Sequence, residues 1–180
     1  MSTYCDTAPG HPVHRSYHDT EYGFPLEEEA GLFERMCLEI FQAGLSWEIV
    51  LKKRPTIVAA FEGFDVDTVA AYGPDDVARL LADAGIIRNR RKVGAIIDNA
   101  ERLVALRDSD GGLATWIAAH HPLPKDDWVK LFREIFVFMG GEIVGEFLMS
   151  IGYLPGPHRE DCPIYQEIAA LKPPWMTVGH

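Results

Sequence analysis

Apolar residues recur along this chain at three- and four-residue steps, the period of a helix with one buried face. The first such group is Leu32, Phe33, Met36, Cys37 and Ile40, and Gly44 fits its end. Ser46 is placed to cap a second helix that carries Trp47, Val50 and Leu51 on one side. Asp65 can cap a short helix through Val69 and Ala70. Pro74 suits the first turn of the next, with Gly85 just past its end. A longer segment from Arg88 to about Arg107 holds Val93, Ile96, Ile97, Ala100, Leu103 and Val104 in register, and Gly111-Gly112 break it. Shorter helices are expected over Leu113 to Ala119, Asp126 to Phe138, Glu142 to Ile151 and Tyr165 to Leu171. The Pro-, Gly- and His-rich stretch up to about Pro25 reads as loop. So does most of the tail after Gly152, which carries Pro155, Pro157, Pro163, Pro173 and Pro174. Strand-like alternation bounded by turn residues is absent. The pattern is that of an all-α protein, expected to form one domain over residues 1–180.

Composition narrows the class. With 47% hydrophobic and 24% charged residues the chain matches a soluble globular domain. Its apolar runs, such as Ile135 to Met139, fall far short of the ~20 residues needed to span a bilayer, so no membrane association is expected. The first ten residues show no basic segment followed by an apolar one, which points to the cytoplasm. A net charge of −10 argues against a protein that coats nucleic acid by bulk electrostatics. A local cationic patch remains open at Lys52-Lys53-Arg54 or at Arg88 to Lys92. Either run also reads as an ordinary solvated helix face.

Cysteine chemistry adds a metal site. Three cysteines cannot all pair, and in a reducing compartment metal binding or burial is favoured over a disulfide framework. Cys37 belongs to the apolar face of its helix. Cys5 is followed by His18 after twelve residues, and His158 by Cys162 after three. Two thiolates and two imidazoles suit tetrahedral structural zinc. The pairs lie at opposite ends of a chain whose termini are poor in core-forming residues, so an ion bridging them would convert binding energy into folding energy. On spacing alone His11, His14, His120 and His121 compete as ligands, and chance scatter is the other reading.

Several motifs then occur in order. They are Ser16-Tyr17-His18-Asp19-Thr20-Glu21-Tyr22-Gly23, Leu32-Phe33-Glu34, Leu38-Glu39, and Gln42-Ala43-Gly44-Leu45-Ser46-Trp47 with Val50 to Arg54. Phe64-Asp65 and Asp83-Ala84-Gly85-Ile86-Ile87-Arg88-Asn89-Arg90 follow. Together they resemble the DNA-3-methyladenine glycosylase I family, strongly from about Cys5 to Asn99 and again over Phe138 to Cys162. The resemblance implies a compact helix-hairpin-helix glycosylase fold with one structural zinc joining N- and C-terminal segments through Cys5, His18, His158 and Cys162. It implies base-excision repair: hydrolysis of the N-glycosidic bond of alkylated purines, chiefly 3-methyladenine, in double-stranded DNA. No obligate protein partner is implied, and in a bacterium the location would be the nucleoid. Glu39 is the implied catalytic residue, while Tyr17, Trp47, Glu39 and Tyr22 would contact the extruded base.

Those residue types suit the chemistry. An N3-methylated adenine is cationic, so a carboxylate complements it, an indole stacks on it, and a phenol can bond its edge. On a helical wheel Glu39 falls beside Leu32, Met36 and Ala43, at the margin of the buried face. Gly140 and Gly141, ahead of the helix from Glu142, occupy the family's hairpin turn, where bare backbone N–H groups can meet a DNA phosphate. The chain departs from the family pattern at Thr7, His14, Tyr22, Gly156-Pro157 and Gly141-Glu142, which implies a remodelled pocket and hairpin. Two other readings stay open: a zinc-stabilised damage-recognition module without turnover, and a purely structural helical protein.

Overall fold

A computed structural model of the chain describes residues 2–178. Those residues form helices and no strands. The elements are α1 (Tyr4–Thr7), α2 (His14–Thr20), α3 (Glu29–Gln42), α4 (Trp47–Ala60), α5 (Val66–Ala70), α6 (Pro74–Ala82), α7 (Arg90–Asp110), α8 (Leu113–His120), α9 (Lys125–Ile135), α10 (Gly141–Ser150) and α11 (Pro163–Leu171). Single 3-10 turns lie at Glu62–Phe64 and Pro174–Met176. None of these helices is long and apolar enough to cross a membrane.

Helix ends follow local chemistry. The Ser46 hydroxyl accepts from Ile49 N, Asp65 from Thr68 N at 2.8 Å and Asn89 from Lys92 N at 3.1 Å, each satisfying a first-turn donor. Gly111 adopts φ +81° and stops α7. The N-terminal stretch expected as loop instead contains α1 and α2. Both are short and polar; only Tyr17 and His18 of α2 are buried, so no apolar periodicity announces them. The helix expected to reach Phe138 stops at Ile135, because Phe136 is extended and Phe138 takes φ +62°.

α3 is the central element. It packs on α4, α7, α8 and α10, and it buries Leu32, Phe33, Met36, Cys37, Leu38, Ile40 and Phe41. Phe61, Phe64, Trp128, Phe132 and Phe147 extend the same core. Each such side chain contributes roughly 1.5–3 kcal/mol by leaving water. Cys37 is fully buried, as its place on the apolar face of α3 implies.

Part of each basic run is committed inside the fold. Arg54 donates to Glu21 at 2.7 and 2.8 Å and pairs with Glu34, while Lys53 bonds Ala84 O at 2.9 Å. Lys92 is buried, and its Nζ caps the end of α3 through Phe41 O (2.7 Å) and Ala43 O (2.6 Å). Arg91 lies over the Phe138 ring, and Arg88, Arg90 and Arg91 are all exposed. The local cationic patch left open from sequence therefore persists only in the second run, at Arg88, Arg90 and Arg91.

Candidate active-site cleft and metal centre

A cleft of about 730 Å³ opens between α1, α2, the C-terminal end of α3, the first turn of α4 and the N-terminal end of α10. Its walls include Tyr4, Tyr17, Tyr22, Glu39, Trp47, Gly140, Gly141, Glu142 and Glu146. The structure therefore brings Glu39, Tyr17, Trp47, Tyr22, Gly140 and Gly141 to one cavity. Tyr4, Gln42 and Glu146 had not been singled out from sequence.

Local geometry explains the convergence. α3 ends at Gln42, Gly44 turns the chain at φ +80°, and Trp47 begins α4 on the far lip of that turn. Glycine is needed at position 44 because an L side chain disfavours that conformation. Tyr17 packs edge-on against Trp47 at 5.1 Å and is stacked with Tyr22 at 5.7 Å. Behind it the Arg35 guanidinium lies 5.1 Å from the ring centre and is tied to Ser150 O and Glu21. The Tyr17 hydroxyl is buried with no hydrogen-bond partner among the described residues. Burial pushes its pKa well up, so it stays a protonated donor.

Glu39 is only 5% exposed. Burial, then the nearby Glu146 charge, push its pKa up to about 8, against the lowering pull of Arg35. Glu146 is itself raised, first by burial and then by Glu142. The Tyr22 hydroxyl, donating to it at 3.1 Å, and Lys125 act the other way. Two family departures acquire roles here. Tyr22 holds Glu146, and His14 bonds the Tyr4 hydroxyl at 3.1 Å, which helps fix Tyr4 in the cleft wall.

The hairpin between α9 and α10 is pinned by Asn99, a fully buried side chain. It donates to Val137 O (3.0 Å) and accepts from Val137 N (2.9 Å). Phe138 then carries the strained positive φ that turns the chain toward Gly140. A Cβ at Gly140 would meet nothing within 4 Å, and one at Gly141 only Val129 at 4.0 Å. Packing does not demand glycine at either position. Glu142, 94% exposed, follows on the rim.

Cys5, His18, His158 and Cys162 gather at the joined ends of the described chain, their ligand atoms all within 4.8 Å of one another. His158 Nδ1 lies 3.7 Å from Cys5 Sγ and 3.6 Å from Cys162 Sγ, and His18 Nε2 lies 3.9 Å from Cys162 Sγ. Ligands at ordinary Zn–S and Zn–N lengths in a tetrahedron sit about 3.6 Å apart, so the group fits a four-coordinate ion. The tautomers agree. His158 Nε2–H donates to Tyr22 O at 2.7 Å and His18 Nδ1–H to Asp19 at 2.7 Å, which turns both lone-pair nitrogens toward the thiols. The competing histidines are engaged elsewhere. His11 and His14 group with Glu48, while His120 and His121 bond Trp116 O and Pro174 O.

The site is thus an acidic, aromatic cleft beside the α9–α10 hairpin of an all-helical fold. The methyladenine glycosylase family model matches residues 7–135. The chain is 47% identical over 105 residues to DNA-3-methyladenine glycosylase 1 of Escherichia coli, a match spanning 58% of this chain and 56% of that protein. It is 33% identical over 184 aligned positions to DNA-3-methyladenine glycosylase of Haemophilus influenzae, covering 91% of this chain and 98% of that one. Among solved structures, a 3-methyladenine DNA glycosylase I variant in complex with 3-methyladenine superposes with a TM-score of 0.81 at 26% identity, over 91% and 97% of the two chains. This chain belongs to the methyladenine glycosylase family.

Proposed function

We propose that the chain is a monofunctional DNA glycosylase of base-excision repair that hydrolyses the N-glycosidic bond of 3-methyladenine in duplex DNA. The carrying observation is the convergence of buried Glu39, the unpartnered Tyr17 hydroxyl and Trp47 on one cleft in a member of this family. The extruded base would stack on Trp47, worth roughly 1–3 kcal/mol. Tyr17 would donate to its edge, ending the isolation of a hydroxyl that otherwise costs about 1–3 kcal/mol. Glu39 faces the positive charge. The arriving cation favours its ionised form, so Glu39 sheds its proton as the base enters. Water attacks the sugar carbon as the base departs. None of the described residues lining the cleft is a lysine, in keeping with hydrolysis and not strand cleavage through a Schiff base.

The bare backbone of Gly140 and Gly141 at the start of α10 would receive a phosphate of the alkylated strand. The four-ligand group would hold one zinc ion. That ion would join α1 and α2 to the segment before α11, supplying folding energy and no chemistry of its own. Residues 1–180 would then act as one unit in the cytoplasm, with DNA as the partner.

A second reading, a zinc-stabilised damage-recognition module, is favoured by the exposed carboxylate of Glu142 where a phosphate would lie. Incubating methylated duplex DNA with the protein and identifying free bases by mass spectrometry separates the two. Release of 3-methyladenine with the strand intact supports the enzyme. Tight binding of damaged duplex with no base released overturns it.

A further inference from the structure

Most of the chain's 17 lysines and arginines pair with carboxylates, and Lys53, Lys92 and Arg102 are spent on backbone carbonyls. Arg88, Arg90 and Arg91 do neither. All three are exposed, and none has a carboxylate within ion-pairing distance among the described residues. Asp98 shares a shallow hollow between α6 and α7 with Arg90 and does not pair with it. The three also stand at the wrong end of a helix for stability. They surround the N-terminus of α7, the positive end of its dipole, and the first turn there holds no acidic residue. α6 and α9, by contrast, open with Asp75-Asp76 and Asp126-Asp127. Beyond the contact of Arg91 with Phe138, the fold gains nothing from clustering these cations; an anionic partner would. The cluster borders the hairpin. The Arg91 guanidinium lies 5.8 Å from the Phe138 ring centre, and Asn99, further along α7, grips both backbone groups of Val137. α7 and the turn leading to Gly140 and Gly141 therefore form one platform.

We propose that Arg88, Arg90 and Arg91 form a second phosphate-binding element, one that holds the backbone of duplex DNA whether or not the duplex carries a lesion. The choice of DNA follows from the glycosylase reading, to which this adds a surface outside the cleft. A chain of net charge −10 repels a polyanion at long range, and the exposed Glu142 does so at the hairpin itself. Three guanidiniums beside that hairpin reverse the sign locally, and each can bond a phosphate through two N–H groups. A polyanion answers three neighbouring guanidiniums at once, as a lone phosphate does not, and the patch adjoins the turn where a strand would already lie. Contacts of this kind position a duplex and carry no sequence information, so they act equally on damaged and undamaged DNA.

The test measures Kd by fluorescence anisotropy for an undamaged duplex and for one carrying a stable abasic-site analogue, from about 50 to about 200 mM salt. Arg88→Gln, Arg90→Gln and Arg91→Gln together are expected to weaken both duplexes alike, about tenfold or more at the low-salt end. They should also flatten the slope of log K against log salt by about 2 to 3. Arg88→Lys, Arg90→Lys and Arg91→Lys together keep the charge and should keep the slope, which a merely structural role would not predict. The pair Arg88→Gln and Arg90→Gln spares the Phe138 contact and should flatten the slope by about 2, so the test stands if the triple variant fails to fold. Lys172→Gln, one charge removed at the end of α11, is expected to change neither Kd nor slope. Wild type that releases 3-methyladenine, with Kd and slope unchanged in the glutamine variants, overturns this inference alone. A loss confined to the abasic duplex, or matched by Lys172→Gln, overturns it as well. Wild type that releases no base but keeps an arginine-dependent slope overturns the glycosylase reading and supports the surface.

Discussion

Glu39→Gln should make the protein more stable at alkaline pH. In the folded chain the Glu39 carboxyl ionises near pH 8 instead of the ordinary 4.5, because it is buried beside Glu146. Between those values the folded state holds a proton that the unfolded chain has lost. Wild-type stability from this residue is therefore fully present below about pH 4.5 and is lost as pH rises toward 8. The slope is about 1.4 kcal/mol per pH unit, and the whole displacement corresponds to an upper bound of about 5 kcal/mol. Glutamine has nearly the same shape and does not titrate. The stability of Glu39→Gln minus that of wild type should thus climb through this window and level off above it. Glu146 titrates in both proteins, so the subtraction removes most of its contribution. Urea unfolding followed by tryptophan fluorescence, repeated from about pH 5 to about pH 9, reads the difference directly. A difference that stays flat with pH, or that falls as pH rises, would refute the placement of Glu39 as a buried carboxyl in an acidic cleft. The expected result means that the proposed recognition residue lowers fold stability at working pH, a common trade between function and stability.

Purified protein should contain about one zinc ion per chain by elemental analysis, and strong chelation or Cys162→Ser should lower Tm by roughly 5 °C or more. A metal-free protein indifferent to chelator would remove the zinc clasp. Asn99→Ala strands both polar groups of Val137 and should destabilise by about 2–4 kcal/mol in urea titrations, with loss of DNA binding as the hairpin loosens. Gly141→Ala should leave Tm unchanged or slightly raised, since its Cβ meets only Val129 at 4.0 Å, while weakening affinity for duplex DNA in a fluorescence anisotropy titration. Unchanged affinity there would exclude a backbone–phosphate contact at the start of α10.

The helices that build the core were legible because burial imposes a period. α3, α4 and α7 show it in Leu32 to Ile40, Trp47 to Leu51 and Val93 to Val104, and Ser46 marks the start of α4 as Asp65 marks that of α5. α1 and α2 were not legible, since they are anchored by aromatic contacts and by His18 and Cys5 and not by an apolar stripe. The grouping of Cys5, His18, His158 and Cys162 followed from ligand chemistry and resemblance together; spacing alone left four other histidines in play. Within the cleft, Glu39 lay at the edge of an apolar face, where pattern alone favours a solvated carboxylate and only the resemblance supplied a role. Glu146 was not legible, because a glutamate in a glycine-containing helix reads as solvated until its tyrosine partner, 124 residues away, is seen. Asn99 was hidden for the same reason: its value lies in a contact 38 residues distant, at a turn whose strain no local pattern encodes.

In the proposed reaction Tyr17, Glu39 and Trp47 hold an extruded methylated adenine while water cleaves it from the sugar. Single-turnover release of 3-methyladenine from a duplex oligonucleotide tests this most directly, with wild type beside Tyr17→Phe, Glu39→Gln and Trp47→Ala. Wild type should release the base, and each variant should slow release about tenfold or more while keeping a cooperative melting transition. Release at the wild-type rate by all three variants, or no release by wild type, would contradict it.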